Sequence, residues 1–186
     1  MSRPLIFQRH RASHIAVVTR DFDRVLDHWV KLVRAGPFFV SRYENHYEYR
    51  GRPATCLTKV AFGYWKDMQI QVVTQLCDTP SIYTEVLDER DKTATFHHVL
   101  TLTDDLDADM AHYAAHGIQP AAYFAPSEMR IAFMDTIPVL GLMMEIYQVQ
   151  PRLLAFFKAA HKAHQEWDGR DPVRAHPLRI ESSLPD

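Results

Sequence analysis

Residues 13–23 read SHIAVVTRDFD, and residues 97–107 read HHVLTLTDDLD. The two stretches align at a constant offset of 84, which pairs His14 with His98, Thr19 with Thr103, Asp21 with Asp105 and Asp23 with Asp107. The register carries on to His28 and His112, then to Trp29 and Tyr113. Self-similarity on this scale marks a duplicated supersecondary unit. Each stretch opens with a short apolar run, which reads as a buried strand. An aspartate suited to cap a helix follows, with further acid in the first turn, where it favours the helix dipole.

Working outward, Val25, Leu26, Trp29, Val30 and Val33 mark one face of a first helix, and Gly36-Pro37 ends it. FFVSRY reads as a second strand and NHYEYRGRP as a polar, aromatic loop. TCLTKVAFGYW and MQIQVVTQL read as two strands joined by a tight turn near Lys66-Asp67. In the second copy, DDLDADMAHYAAHG is a helix ending at Gly117, and PAAYFA, MRIAFMDT and LGLMMEIYQ supply three strands. The expected fold class is α+β: two β-α-β-β-β modules, residues 12–75 and 96–150, joined by a linker at 76–95. DTPSIYTEVLDER in the linker reads as a turn plus a short helix. In residues 151–186, RLLAFFKAAHKAHQEWD reads as an amphipathic helix with Leu153, Leu154, Phe157 and Ala160 on its apolar side. DGRDPVRAHPLRIESSLPD is a tail, ordered only if it docks.

The chain has 186 residues, 47% of them apolar, enough for a real core. A net charge of −2 offers no basic field for nucleic acid. Two cysteines, Cys56 and Cys77, make no disulfide framework and suit a reducing cytoplasm. No apolar run approaches the roughly 20 residues that cross a bilayer. MSRPLIFQRHRAS is basic but lacks the apolar core of a signal peptide, with a short organelle-type leader as the minor alternative.

Alternate strand residues share a face, which groups His14 with Ala16 and Val18, His98 with Leu100 and Leu102, and Gln69 with Gln71. Glu145 shares a face with Met143 and Tyr147, and aligning the last strands of the two modules pairs it with Gln71. A carboxylate inside LGLMMEIYQV is costly to bury without a partner, and a cation would offset that cost. Two imidazoles, an amide oxygen and a carboxylate form a mixed N/O set suited to one divalent Zn, Ni, Co, Mn or Fe ion. The plainer readings are hydrogen-bonded core histidines, a buried amide at Gln71 and a Glu145–Arg130 ion pair. His97 faces away from His98 and reads as structural; His28 and His112 read as surface or packing residues, and His161 and His164 as solvated.

HIAVVTRDFDRVLDHW, MQIQVV, FHHVLTLTDDLDADMAHYAAHG, FMDT and LGLMMEIY together resemble the vicinal oxygen chelate superfamily, over roughly residues 12–150. That superfamily includes glyoxalase I, methylmalonyl-CoA epimerase, extradiol dioxygenases and bleomycin-resistance proteins. The resemblance implies a curved mixed sheet enclosing a metal cup, with ligands at His14, Gln71, His98 and Glu145. This set is similar to that of the epimerase and, apart from Gln71, to that of bacterial glyoxalase I. A fourth ligand would fill the room a dioxygenase leaves for O₂. The expected function is therefore a metal-dependent isomerase or lyase, with a Lewis-acid metal and Glu145 as the base moving a proton next to a carbonyl. An Fe(II) extradiol-type dioxygenase and a non-catalytic, resistance-type binding protein are the alternatives. TCLTKVAFGYW lacks the acid that epimerases carry on that strand, which leaves Glu48 or a tyrosine to supply it. Tyr43, Tyr47, Tyr49, Phe62, Tyr64 and Tyr83 favour a large apolar or aromatic small-molecule substrate over a small polar one if they line the cup. Arg50 and Arg52 either bind an anionic group or form a solvated turn. A homodimer is expected, because the apolar side of the last helix needs a surface to cover.

Overall fold

The computed structural model describes residues 12–87, 93–124 and 130–176. The first module runs β1 (Ala12–Thr19), α1 (Phe22–His28), a π-helical turn (Trp29–Val33), β2 (Phe38–Tyr49), β3 (Arg52–Trp65) and β4 (Met68–Gln75). The second runs β5 (Ala94–Thr103), α2 (Leu106–Ala114), β6 (Pro120–Phe124), β7 (Ile131–Met134), α3 (Ile137–Leu140) and β8 (Met143–Gln148). After these come α4 (Pro151–Gln165) and β9 (Val173–Ala175). The strands follow the order β3-β4-β1-β5-β8-β7-β6-β2, and β2 pairs back with β3, so the sheet closes into a barrel. Two copies of one β-α-β-β-β unit thus build one mixed, curved sheet around a common interior. Among the described residues, no helix is long and apolar enough to cross a membrane.

The duplicated phrase has a local cause. Thr19 Oγ1 accepts the backbone N–H of Asp21 at 2.8 Å, and Asp21 Oδ1 accepts that of Arg24 at 3.4 Å. Thr103 and Asp105 repeat this, accepting from Asp105 and Ala108 at 3.0 Å each. Each strand therefore hands the chain to a capped helix through the same Thr-x-Asp turn. Alternation does the rest. Ala16 and Val18 point into the barrel, whereas Ile15 and Val17 turn outward and pack with Phe22, Val25 and Leu26 of α1. Leu106 of α2 packs in the same way on Ala132, Met134 and Ile146.

Four local expectations are corrected. NHYEYRGRP is no loop: β2 pairs with β3 without a break from Phe39↔Phe62 to Tyr49↔Arg52. Arg50 (φ 47°) and Gly51 (φ 77°) form the two-residue connection, since both take the left-handed conformation that a tight hairpin requires. The first helix ends at Arg34, in the left-handed conformation with φ 59°, two residues before Gly36-Pro37. The linker holds turns at residues 82–86 instead of a short helix, and residues 88–92 lie outside the described ones. His161 and His164 are half-buried, not solvated. His164 Nδ1 lies 2.5 Å from the Gly36 carbonyl, and the His161 ring sits 4.9 Å from that of Tyr64.

The tail docks. Val173–Ala175 add as β9, parallel to Phe38–Val40, on the part of the β2 edge that β6 does not reach. The apolar side of α4 covers the barrel of its own chain, with Phe156 and Ala160 buried against Phe39 and Tyr64. The part of the tail at residues 177–186 lies outside the described residues.

Candidate metal centre

β4, β1, β5 and β8 are neighbours, and their register lays out the site. One row across them is Gln69–His14–Leu100–Glu145 and the next is Gln71–Ala16–His98–Met143. Residues in register share a face, so all four candidate side chains belong to the interior face. A half-turn about Ile15↔Val99 exchanges His14 with His98 and Gln71 with Glu145, which is the symmetry of the duplication.

Three of the side chains converge. Glu145 Oε2 lies 3.2 Å from His14 Nε2 and 2.9 Å from His98 Nε2, and the two imidazole nitrogens are 3.2 Å apart. Metal–nitrogen and metal–oxygen bonds are about 2.0–2.2 Å, so ligands at right angles around one ion stand about 3 Å from each other. The triangle has those sides. His14, His98 and Glu145 are respectively 2%, 1% and 5% exposed, so water does not disperse the charge. Glu145 Oε2 is buried with no donor aligned on it in ordinary hydrogen-bond geometry. Gln71 Oε1 is likewise buried and unpartnered, and Gln71 lines the same cavity as His14 and Glu145. Orphaned acceptors at this depth are what a cation site requires, and these residues fit a divalent metal.

Burial alone would raise the Glu145 carboxyl, but the imidazoles of His98 and His14 reverse this and hold it at about 2. Burial pushes His98 below the usual histidine range. The plainer partner for Glu145 is ruled out. Arg130 donates to Gln148 Oε1 at 2.9 Å, to Asp107 Oδ1 at 2.6 Å and to the Tyr123 hydroxyl at 3.2 Å.

The reading of residues missed two members of this group. Gln69 Oε1 lies 3.2 Å from His14 Nδ1, and His97 Nδ1 lies 2.7 Å from His98 Nδ1. Alternation had put Gln69 on the right face. His97 carried no signal, because neighbouring strand residues point apart.

The cavity measures about 130 Å³. Tyr43, Phe62, Tyr83, Phe124, Phe133 and Tyr147 line it from the barrel, and Leu153, Phe156 and Phe157 close it from α4. Among the described residues, Glu145 is its one carboxylate and no lysine or arginine reaches it. Glu48 is exposed, outside the cavity. Burial raises the phenols of Tyr83 and Tyr147, and Glu145 nearby raises them further. Arg50 neither faces the cavity nor stands free: it pairs with Glu85 at 2.5 Å and Asp135 at 2.8 Å.

A family model described as the Glyoxalase/Bleomycin resistance protein/Dioxygenase superfamily matches residues 13–133. The chain belongs to that superfamily. No curated relative matches the chain. Among solved structures, methylmalonyl-CoA epimerase from Mycobacterium tuberculosis is 19% identical with a TM-score of 0.51, covering 77% of this chain and 91% of its own. A methylmalonyl-CoA epimerase in complex with methylmalonyl-CoA and NH4+ is 18% identical with a TM-score of 0.51, covering 76% and 96%. A hypothetical protein from Bacillus halodurans C-125 is 16% identical with a TM-score of 0.51, covering 76% and 95%. At these identities the superfamily's fold is what the chain shares with them.

Proposed function

We propose that this superfamily member is a metal-dependent isomerase or lyase that moves a proton next to a carbonyl. In this reading His14, His98 and Glu145 hold one divalent ion, with the Gln71 amide oxygen as fourth ligand. The observation that carries it is the buried triangle of Nε2, Nε2 and Oε2, with sides of 2.9–3.2 Å and no aligned donor on Oε2. A bound ion supplies Lewis-acid stabilisation of negative charge on a substrate carbonyl oxygen.

The chain supplies the rest. Glu145 is held ionised and is the one carboxylate in the described cavity wall, so it is the base that takes the proton. Tyr83 and Tyr147 stay protonated, so they can donate a hydrogen bond or a proton but cannot serve as a second base. Among the described residues of the cavity wall, epimerisation by two carboxylates therefore has no second partner. The apolar, aromatic wall, which among the described residues carries no lysine or arginine, suits an uncharged apolar or aromatic substrate. Cys56 and Cys77, both free thiols, suit a cytoplasmic setting.

Elemental analysis tests this first. We expect about one divalent ion per chain, lost in His98→Ala and Glu145→Ala. Deuterium exchange into carbonyl compounds then reads the proton transfer, and absence of metal under every loading condition would leave a binding protein. One observation favours a second reading, the Fe(II) dioxygenase. The three convergent ligands are two histidines and a carboxylate, the triad of such enzymes. Gln71→Ala separates the two: unchanged metal affinity with iron bound supports the dioxygenase, and weakened affinity supports four ligands.

A further inference from the structure

An imidazole can offer Nε2 as a ligand only if its proton sits on Nδ1, and the groups behind His14 and His98 decide where that proton sits. We infer that Gln69 and His97 are positioning residues. Each locks one of the two histidines in its Nδ1–H form through a relay that ends on a backbone carbonyl.

The relay to His98 starts at Ile82, whose carbonyl can only accept. It lies 2.9 Å from His97 Nε2, so that nitrogen carries the single proton of a neutral His97. His97 Nδ1 is then an acceptor. The hydrogen shared across the 2.7 Å contact belongs to His98 Nδ1, and His98 Nε2 keeps its lone pair for the cavity. The relay to His14 starts at Phe157 on α4, whose carbonyl accepts the Tyr64 hydroxyl at 3.3 Å. The Tyr64 oxygen is free to accept from Gln69 Nε2 at 3.5 Å, which turns Gln69 Oε1 towards His14 Nδ1 at 3.2 Å. His14 Nδ1 therefore donates, and its Nε2 also faces the cavity as a lone pair. Gln69, His97 and His98 are each no more than 1% exposed, so water does not compete for these hydrogen bonds.

The duplication explains why the relays differ. The half-turn that exchanges the modules puts Met143 in the place of Gln69, and Met143 cannot accept from His98 as the amide does from His14. The second module uses the residue before its histidine, His97, where the first has Ser13. The outcome aims both Nε2 atoms at Oε2 inside the barrel, where a proton shared with Glu145 in the metal-free chain gives way to a cation. It also makes α4, which lies outside both modules, part of the support of His14.

The consequence for metal binding rests on the reading under Proposed function; the tautomers do not. In the metal-free, ¹⁵N-histidine-labelled protein, long-range ¹H–¹⁵N spectra should show a proton on Nδ1 of both His14 and His98. An unprotonated Nδ1 at either residue overturns the assignment. Zinc titration against a chelating dye gives the second readout. Gln69→Leu and His97→Phe should bind zinc about 10–100-fold more weakly. Gln69→Glu and His97→Gln, which keep an acceptor in place, should stay near the unaltered protein. Equal loss in both kinds of variant, or loss in neither, overturns it. If the unaltered protein binds no zinc, the metal reading fails and the tautomers still decide the positioning role.

Discussion

Gly63 lies under a ring. A Cβ built there would stand 2.6 Å from Phe38 Cδ1, inside the core that β2 and β3 share with α1. Gly63→Ala must displace that ring, at an expected cost of about 1–3 kcal/mol, read as a lower melting temperature with metal affinity unchanged. The two cysteines offer a sharper contrast. Their sulfurs are 4.0 Å apart, yet burial pushes Cys56 up to about 12. Cys77 is lowered: its partial burial is the largest single influence and acts upward, but hydrogen bonds from the backbone N–H of Leu57, from Thr79 and from Cys56 together outweigh it. Alkylation of the folded protein near neutral pH, followed by mass spectrometry, should label Cys77 and leave Cys56 until the chain unfolds. Legibility at this scale followed periodicity. His14, His98, Gln71 and Glu145 stood out because polar groups broke apolar alternation at matching places in two copies. Arg130 could be assigned only in space, since its partners Asp107, Tyr123 and Gln148 come from separate stretches.

At the scale of elements, α4 and β9 extend the two modules. Phe156 meets Phe39 and Phe62 edge-on and stacks on His176 with centroids 4.1 Å apart. Phe156→Ala should cost about 3–5 kcal/mol, measured by denaturant unfolding, and should loosen the cavity wall. The α4 pattern was readable as an amphipathic stripe, but its partner was not. A helix states which side it must bury, and only the closed barrel says that its own chain provides the surface. β2 was cut short in the reading because Asn45, His46 and Glu48 look loop-like. They pair along β3 with Cys56, Thr55 and Pro53, and cross-strand pairing outweighs their composition. β9 was invisible as a strand, since three residues without clear alternation become one only where an open β2 edge awaits them.

Across the whole molecule, buried thiols and phenols set the alkaline limit. Cys56 rises from 9.0 to about 12 and Tyr64 from 10.0 to about 12, both chiefly through burial. Each group loses its proton in the unfolded chain first. The stability it contributes is therefore complete below pH 9.0–10.0 and is lost as pH climbs towards 12. Denaturant midpoints in chelator-containing buffer should fall as pH rises beyond 9.0. Zinc should act in the opposite direction: at a hundred times its dissociation constant, a site present only in the folded state adds about 2.7 kcal/mol. That gain should vanish in Glu145→Ala, as scanning calorimetry with and without zinc would show. The duplicated phrase disclosed two modules at this scale; the curved sheet was implied by the family resemblance, and the strand order shows the modules closing on each other within one chain.

That closure sets how the protein behaves on dilution. The strands bearing His14, Gln71, His98 and Glu145 are adjacent members of one chain's sheet, so no second copy is needed to complete the group. Turnover per molecule should hold constant as the solution is thinned, and whatever association the outer surface supports can come apart without dismantling the centre.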